Sequence, residues 1–310
     1  MLELSTKRSY AVKKGLFLLF LIGPALLLFT MFVLVPVIQA GFFSFFRWRG
    51  GPFKDNGKFY GIKNFIFLFR HKIFLTALIN NIKIVLFSLI FQLPVAFLFA
   101  LMVGKNKYFG STLFRSFYFF PYVLTEIVVG IIWRFIYHPE FGLPTMFHRL
   151  LTGAGSQGAE GLLSQVAWLG DPKMVFGAIF IVIFWKYLGF HMILYIAGLQ
   201  NVPKELEDAA VIDGANKLQV IWNVVIPSIR STIVISVFLS VIGSFNVFDV
   251  VWAMGKGDPA NAAETLVTYM YKFGFNSSKY GYASAVAVII FLICLVFNVI
   301  YQKYVVGDKK

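Results

Sequence analysis

Cysteine and acidic residues are scarce in this chain. Only one of its 310 residues is a cysteine, Cys294, and it lies in an apolar run. A single thiol excludes an internal disulfide and a thiolate metal cluster. Asp and Glu number 14 against 28 Lys and Arg, a net charge of +14. Because the basic residues are scattered between apolar stretches, we expect membrane lipid as their partner and no nucleic acid.

Motifs for nucleotide hydrolysis or metal binding are also missing. The nearest approach to a phosphate-binding loop, Gly255-Lys256-Gly257, lacks the preceding glycine spacing and a Ser or Thr after the lysine. His191 has no acidic or histidine neighbour at ligand spacing. We therefore expect no catalytic residue, no metal and no cofactor bound by this chain, which is predicted not to be an enzyme.

Hydrophobic residues dominate the sequence. They make up 59% of the chain, with 37 Phe among them, a composition outside that of soluble domains. It indicates an all-α, polytopic membrane protein. The first apolar run is too long for a cleavable signal sequence, so we expect it to remain as a span. Six segments are long enough to cross a bilayer: about Leu16–Ala40, Ile79–Val103, Phe114–Tyr137, Val175–Leu199, Ile229–Met254 and Tyr282–Tyr304.

The six predicted spans define one membrane domain, 16–304, between two polar tails, 1–15 and 305–310. An even number of spans puts both tails on one side, together with the long polar insert 203–227. Basic residues are equally numerous on the two sides, but they are denser in the short segments on this side, and the first tail is basic. This density favours a cytoplasmic first tail. The charge counts alone do not decide the orientation, and the cytoplasmic location of both tails and the insert rests mainly on the character of the insert itself.

The insert, Pro203–Pro227, carries helix signals of its own, and we refer to it as the docking hairpin. Pro203 suits a first helical position, and the acidic residues after it lie where the helix dipole favours negative charge. Gly214 can end or bend this helix. A second amphipathic helix is expected to follow and to stop at Pro227. Its apolar stripe comprises Leu218, Ile221, Trp222 and Val225.

The spacing Asp208-Ala209-Ala210, then Gly214, then Ile226-Pro227 resembles the EAA loop of binding-protein-dependent ABC importers. Asp208 stands where the family usually has Glu, and Asp213-Gly214-Ala215 matches the DGA of the carbohydrate-uptake branch. The resemblance implies a coupling helix that sits in a cleft of a cytoplasmic ATPase; the alternative is a plain amphipathic surface hairpin. The implied coupling residues are Glu207, Asp208, Ala209, Ala210, Asp213, Gly214, Ala215, Leu218 and Pro227.

The likeness covers most of the chain. FRSFYFFPYVLTEIVVGIIWRFIY and FWKYLGFHMILYIAGLQNVP are similar to segments of maltose- and glycerol-3-phosphate-type permeases, in particular the first permease of the pair. This implies the type I ABC importer permease fold, multi-pass in the bacterial cytoplasmic (inner) membrane. It also implies a second homologous permease as heterodimer partner, two ATPase subunits that bind ATP and Mg, an extracytoplasmic solute-binding protein and a sugar substrate.

Polar groups within spans normally face a cavity or a partner, because they are costly in hydrocarbon. Ser240, Ser244 and Val247 share one face of the fifth predicted span. The resemblance implies that this face and the WKYLG stretch of the fourth span contact sugar, although each serine could instead be a packing residue. The candidate path comprises Lys186, Tyr187, Leu188, Gly189, Ser240, Gly243, Ser244, Asn246 and Val247. Whether the sugar is neutral or anionic stays open.

Two other classes of protein remain as alternatives. An ion-gradient-driven secondary transporter would use Glu126 and Asp249 as proton sites, but the chain shows no convincing inverted repeat. A membrane-embedded enzyme would need a clustered acid, base or metal set near one membrane face, and the sequence offers none.

Overall fold

The computed structural model describes residue 17 and residues 20–104, 110–152 and 167–307. The predicted tail 1–15 and residues 308–310 of the tail 305–310 lie outside the described residues. The described part divides into two compact units. One draws on Met1–Phe67 and Phe273–Ile289, and the other on Leu68–Lys272 and Ile290–Lys310.

The smaller unit combines a long helix with a short aromatic ribbon. Helix α1 spans Phe20–Phe43, and its large apolar side chains are exposed, as expected for a surface that meets lipid or another chain. Strand β1 (Phe46–Arg47) pairs antiparallel with β2 (Lys58–Phe59) around helix α2 (Phe53–Asn56). This ribbon departs from the purely helical chain that composition predicts.

The larger unit is built around one buried helix, α8. This helix packs against α4, α5, α11 and α12, and buried side chains occur along its whole length. The helices after the ribbon are α3 (Lys63–Arg70), α4 (Lys72–Val103), α5 (Ser111–Val123), α6 (Glu126–Ile136), α7 (Leu143–Thr152), α8 (Val175–Gln200), α9 (Lys204–Ile212), α10 (Lys217–Ser228), α11 (Arg230–Phe245), α12 (Asp249–Gly255), α13 (Leu266–Tyr271) and α14 (Tyr280–Tyr301).

Three of the prolines within helices come shortly after a wider helical turn. Pro36, Pro94 and Pro227 each follow, by two residues, the end of a five-residue π-helical turn. Proline removes the hydrogen bond to residue i−4 and crowds that carbonyl. The wider turn relieves this conflict, because it bonds i to i−5. The second hairpin helix, predicted to stop at Pro227, ends at Ser228, and the chain then bends by 73° into α11.

The predicted spans are confirmed as apolar helical segments, but two of them are broken. Helices α1, α4, α8 and α14 are long and apolar enough to cross a membrane, and the count reaches six if two bent pairs are each one span. The pair α5–α6 bends by 100° and the pair α10–α11 by 73°. The third predicted span is therefore not one straight helix. The fifth ends at Phe245, and its predicted last part forms the separate helix α12.

Glycine sets how closely α8 approaches its neighbours. A Cβ on Gly189 would lie 1.8 Å from the carbonyl oxygen of Tyr118 in α5, and one on Gly198 would lie 2.6 Å from Oγ1 of Thr232 in α11. Small residues at helix interfaces allow backbone contact of this kind in membranes. Larger side chains at either position would force these helices apart.

Candidate functional site

A cavity of about 190 Å³ opens among the helices of the larger unit. It lies beside the bend between α5 and α6 and beside the end of α11. The wall mixes apolar, aromatic and hydroxyl groups, which is typical of a small-molecule site. Its lining residues are Ile84, Ser88, Gln92, Tyr122, Ile183, Tyr187, Phe190, His191, Leu239, Ser240, Gly243, Ser244 and Val247.

A directed chain of hydrogen bonds crosses this wall from α11 to α4. The Ser240 hydroxyl donates to Oγ of Ser88 at 2.8 Å, and the Ser88 hydroxyl donates to Oε1 of Gln92 at 2.6 Å. The Ser244 hydroxyl donates to the carbonyl of Ser240 at 2.7 Å. Both serine hydroxyls of α11 therefore donate to other groups of the protein, and the series of hydrogen bonds ends at the side-chain amide of Gln92.

Aromatic rings cover the side of the cavity formed by α5 and α8. The rings of Tyr122 and Phe190 stack with centroids 4.7 Å apart. The Tyr187 hydroxyl donates to the carboxylate of Glu126. Nδ1 of His191 lies 2.8 Å from Oγ of Ser236, away from the serine chain. The stacked rings offer flat apolar faces next to polar groups.

Lys186 stabilises the bend between α5 and α6. Its Nζ donates to the carbonyls of Leu124 at 2.6 Å and Tyr122 at 3.4 Å, at the C-terminus of α5. Helix C-termini leave carbonyls without intrahelical donors and favour a cation. Lys186 is buried and is not among the residues that line the cavity. Its role in this structure is to bind the backbone carbonyls at the bend.

The remaining path candidates divide between the cavity and helix packing. Tyr187, Ser240, Gly243, Ser244 and Val247 line the cavity. Leu188 is buried in an apolar cluster with residues of α4 and α10, and Gly189 packs on the α5 backbone. The exposed Asn246 ends α11, with its amide donating to the carbonyl of Ile242 at 2.9 Å. Sequence reasoning missed Ser88 and Gln92, although polar residues inside an apolar run were a usable signal.

Two adjacent asparagines of α4 fasten the segment between α12 and α13. The Asn80 amide donates to the carbonyls of Ala262 at 2.8 Å and Glu264 at 2.9 Å. Asn81 donates to the carbonyl of Ser244 at 2.6 Å and accepts from the backbone N–H of Leu266 at 2.8 Å. Both side chains are buried. They therefore fix the end of α11, and with it one wall of the cavity, to α4.

An ion pair joins Glu264 of this segment to Lys272, which follows α13. Nζ of Lys272 lies 2.6 Å from Oε2 of Glu264, whose side chain is fully buried. Burial raises the pKa of the Glu264 carboxyl, and the hydrogen bond from Lys272 opposes this rise. A pKa that is higher in the folded than in the unfolded chain adds stability at low pH, which is lost as pH rises through the folded value.

We therefore expect the Glu264→Gln variant to lose less stability than the parent as pH rises from about 4.5, the ordinary value, towards neutrality. Thermal unfolding midpoints across this range measure the effect. Glu140→Gln, at an exposed carboxylate, is the matched control and should follow the parent. Identical pH profiles for all three proteins would contradict the assignment.

The docking hairpin is rigidly capped at its junction. Gly214 has φ of +85°, its N–H bonds to the carbonyl of Val211, and the N–H of Ala215 bonds to the carbonyl of Ala210 at 2.9 Å. This is a Schellman ending of α9. Asn216 then begins α10 with a capping box to Gln219. The predicted junction at Asp213-Gly214-Ala215 is confirmed.

The apolar residues of the docking hairpin lie on two opposite sides of it. Val220 and Val225 are buried with residues of α4 and α8, and Ala210 and Ala215 pack against the same cluster. Large apolar side chains on the other side are exposed: Ile212 at 85%, and Leu218 and Trp222 at 67% each. Exposed apolar groups on a polar hairpin mark an interaction surface. The carboxylates of Asp208 and Asp213 are exposed beside it.

The two acidic residues considered as proton sites occupy helix N-termini. Glu126 lies in the first turn of α6 and Asp249 in the first turn of α12. The helix dipole stabilises a carboxylate at this position. Both residues therefore have a structural role at the two breaks in the predicted spans.

Apolar helices around a partly polar cavity, followed by a capped hairpin with an exposed apolar patch, define a membrane transport subunit. The sequence profile described as "Binding-protein-dependent transport system inner membrane component" matches residues 92–305. This match covers well over half of the chain. The chain belongs to this family, the permeases of ABC importers, and the resemblance found in the sequence is confirmed.

Curated relatives match nearly the full length. The chain is 33% identical over 295 residues to "Probable ABC transporter permease protein YurN" of Bacillus subtilis, covering 94% of this chain and 96% of the relative. It is 33% identical over 300 residues to "Diacetylchitobiose uptake system permease protein NgcF" of Streptomyces coelicolor, covering 94% and 82%. It is 30% identical over 282 residues to "Arabinooligosaccharides transport system permease protein AraP" of Bacillus subtilis, covering 91% and 86%.

A solved structure has the same fold. A permease chain in the crystal structure of a bacterial ABC transporter involved in import of the acidic polysaccharide alginate superposes with a TM-score of 0.80. The two chains are 22% identical, and the match covers 98% of this chain and 100% of the other. This confirms the type I importer permease fold for the multi-pass chain described above.

Proposed function

We propose that this chain is one permease of a heterodimeric ABC importer and carries a sugar or oligosaccharide across the bacterial cytoplasmic membrane. Relatives named as uptake-system permeases for diacetylchitobiose and arabinooligosaccharides support a sugar substrate. In this proposal both termini are cytoplasmic, and an extracytoplasmic binding protein delivers the sugar. A crystal structure of the alginate transporter with its periplasmic protein supports such delivery.

The observation that carries the proposal is the exposed patch Ile212, Leu218 and Trp222 on the docking hairpin. We place the ATPase contact there, together with the exposed Asp208, Asp213 and Gly214. ATP and Mg bind to the two ATPase partners, and this chain hydrolyses nothing. The remaining members of the implied contact set are Glu207, Ala209 and Pro227, together with Ala210 and Ala215, which pack inward against the apolar cluster and support the contact from behind.

The packing behind the patch provides the mechanical link. Val220, Val225 and Ile229 are buried in one cluster with Ala96 and Ala100 of α4 and with residues of α8. Closely packed interiors transmit a shift instead of absorbing it. Closure of the ATPase pair would therefore move the hairpin together with α4 and α8, two of the helices that line the cavity, and switch access from one side to the other.

The docking surface predicts a loss of assembly in the Trp222→Ala variant. Central aromatic side chains at interfaces contribute ~2 kcal/mol or more, which corresponds to roughly 30-fold in affinity. Affinity purification in mild detergent should recover a second permease and an ATPase subunit with the parent chain and much less ATPase with the variant. Quantitative mass spectrometry of the bound subunits measures this ratio.

Phe59→Ala is the matched control, because Phe59 is a similarly exposed aromatic residue on the ribbon. It should retain the ATPase subunit at the parent level. Recovery of this chain alone from native membranes, or equal ATPase retention by both variants, would contradict the docking assignment.

A further inference from the structure

The cavity wall carries no charge of its own in the part of the chain that the structure describes. Its lining contains no Asp, Glu, Lys or Arg. His191 has its Nδ1 at 2.8 Å from Ser236 Oγ. A ligand that enters the cavity therefore meets hydroxyl, amide, imidazole and aromatic groups.

The cation at the bend beside the cavity, Lys186, is already bound within the protein. Lys186 Nζ donates to the carbonyls of Leu124 and Tyr122 and lies 5.6 Å from the centre of the Tyr187 ring. Moving this ammonium towards a ligand would leave the final carbonyls of α5 without their donor. Such a loss costs more than one ordinary hydrogen bond, because the partners are half-buried.

The carboxylate at this bend, Glu126, is held in the same way. The Glu126 carboxylate occupies the first turn of α6 and accepts the hydroxyl of Tyr187. Lys186 and Glu126 thus place opposite charges on the two sides of one bend, each with its own partner. Neither group is therefore free to pair with an ionic ligand without losing a bond within the protein.

Burial of a carboxylate without a cation is strongly unfavourable, whereas hydroxyl groups can exchange water for protein hydrogen bonds. Gln92 is a suitable hydrogen-bond partner for a sugar hydroxyl. Its Oε1 already accepts from Ser88, so its amide NH₂ is the remaining donor group. The stacked Tyr122 and Phe190 rings can cover the apolar face of a sugar ring. At about 190 Å³, the cavity is below the roughly 300–1,000 Å³ of sites for drug-sized ligands.

We propose that this cavity takes one uncharged sugar unit, held by the Gln92 amide and the Tyr122–Phe190 ring pair, and discriminates against sugar acids. The inference rests on the proposed function and adds the charge class of the substrate. It gives this chain the opposite preference to a carrier of an acidic polysaccharide, with which it shares a fold.

Saturation-transfer NMR on the purified importer without its solute-binding protein tests the preference of the membrane cavity itself. The probes are neutral disaccharides of glucose, galactose and mannose, and the corresponding disaccharides of glucuronate, galacturonate and mannuronate. The best neutral probe should bind at least about tenfold more tightly than any uronate. Equal or tighter binding of a uronate, or no binding of any neutral probe, overturns the proposal.

Supplying the missing cation should change the preference. Leu239 lines the cavity from α11 and is 40% exposed, so Leu239→Arg can place a guanidinium at the wall, and Leu239→Gln is its uncharged control. Uronates should bind the arginine variant at least about tenfold more tightly than the glutamine variant. If arginine leaves uronate binding unchanged, the absence of a cation does not set the preference.

Lys186→Met separates the two possible roles of the buried lysine. We expect neutral and acidic probes to lose affinity by the same factor, because the variant disturbs the bend and not a ligand contact. A loss confined to uronates would overturn the proposal. These outcomes are distinguishable from failure of the importer assignment, which is measured independently by recovery of the ATPase subunit and by ATP-dependent uptake.

Discussion

Replacing Gly243 by phenylalanine is expected to reduce sugar uptake at least about tenfold, a rise of ~1.4 kcal/mol or more in the transport barrier. Gly243 lines the cavity, and a Cβ at this position would meet no atom within 4 Å. The helix can therefore accept a side chain without backbone strain, while the ring occupies the space proposed for the sugar. Uptake of labelled sugar into cells or vesicles measures the effect.

Gly177→Phe is the matched control for this experiment. Gly177 lies on α8, is exposed and also has open space around an added Cβ, but it does not line the cavity. We expect this variant to transport at the parent rate and both variants to assemble with their partners. Normal uptake by Gly243→Phe would place the path outside the cavity.

Replacing Asn81 by leucine is expected to lower the free energy of unfolding by about 3 kcal/mol. The change removes two buried hydrogen bonds and leaves the carbonyl of Ser244 and the N–H of Leu266 without partners. Each buried group without a partner costs ~1–3 kcal/mol. Thermal or denaturant unfolding in detergent, followed by tryptophan fluorescence, measures the loss.

Asn201→Leu provides the comparison for this variant. Asn201 is exposed, and its amide makes one local bond, to the carbonyl of Ala197 at 3.1 Å. We expect its stability to change by less than about 1 kcal/mol. Equal losses in the two variants would show that the buried asparagine is not a special fastening point.

The parts of the fold that the sequence predicts well have strong local signals. The fourth span was expected at Val175–Leu199 and is found at Val175–Gln200, because a long apolar run needs no distant partner to form a helix. The hairpin junction is equally local, since Gly214 supplies the positive φ and Asn216 the next cap. These residues determine their conformation through neighbours a few positions away.

The breaks in the third and fifth spans were not predicted, because average apolarity continues across them. Their signals are polar: Thr125 and Glu126 begin α6 shortly after Pro121, and Asp249 begins α12. Acidic residues at such positions favour new helix N-termini. Because the sequence placed Glu126 and Asp249 inside predicted spans, they suggested a proton relay and not helix N-termini.

The roles of Lys186 and the α4 residues depend on contacts remote in sequence. Lys186 binds carbonyls that become available only when α5 ends, and no local pattern shows which carbonyls those are. Asn80 bonds to residues more than 180 positions away. Ser88 and Gln92 could have been identified as candidates because they are polar residues within an apolar span. Only the packing of α4 against α11 shows that their side chains reach the cavity.

The central claim is that ATP hydrolysis on partner subunits drives sugar through this permease. Its most direct test is uptake of labelled sugar by proteoliposomes that contain the co-purified importer and its solute-binding protein. We expect uptake that requires internal ATP and is unchanged when the proton gradient is collapsed. Uptake that continues without ATP and follows the proton gradient would contradict it and would make Glu126 and Asp249 the residues to study.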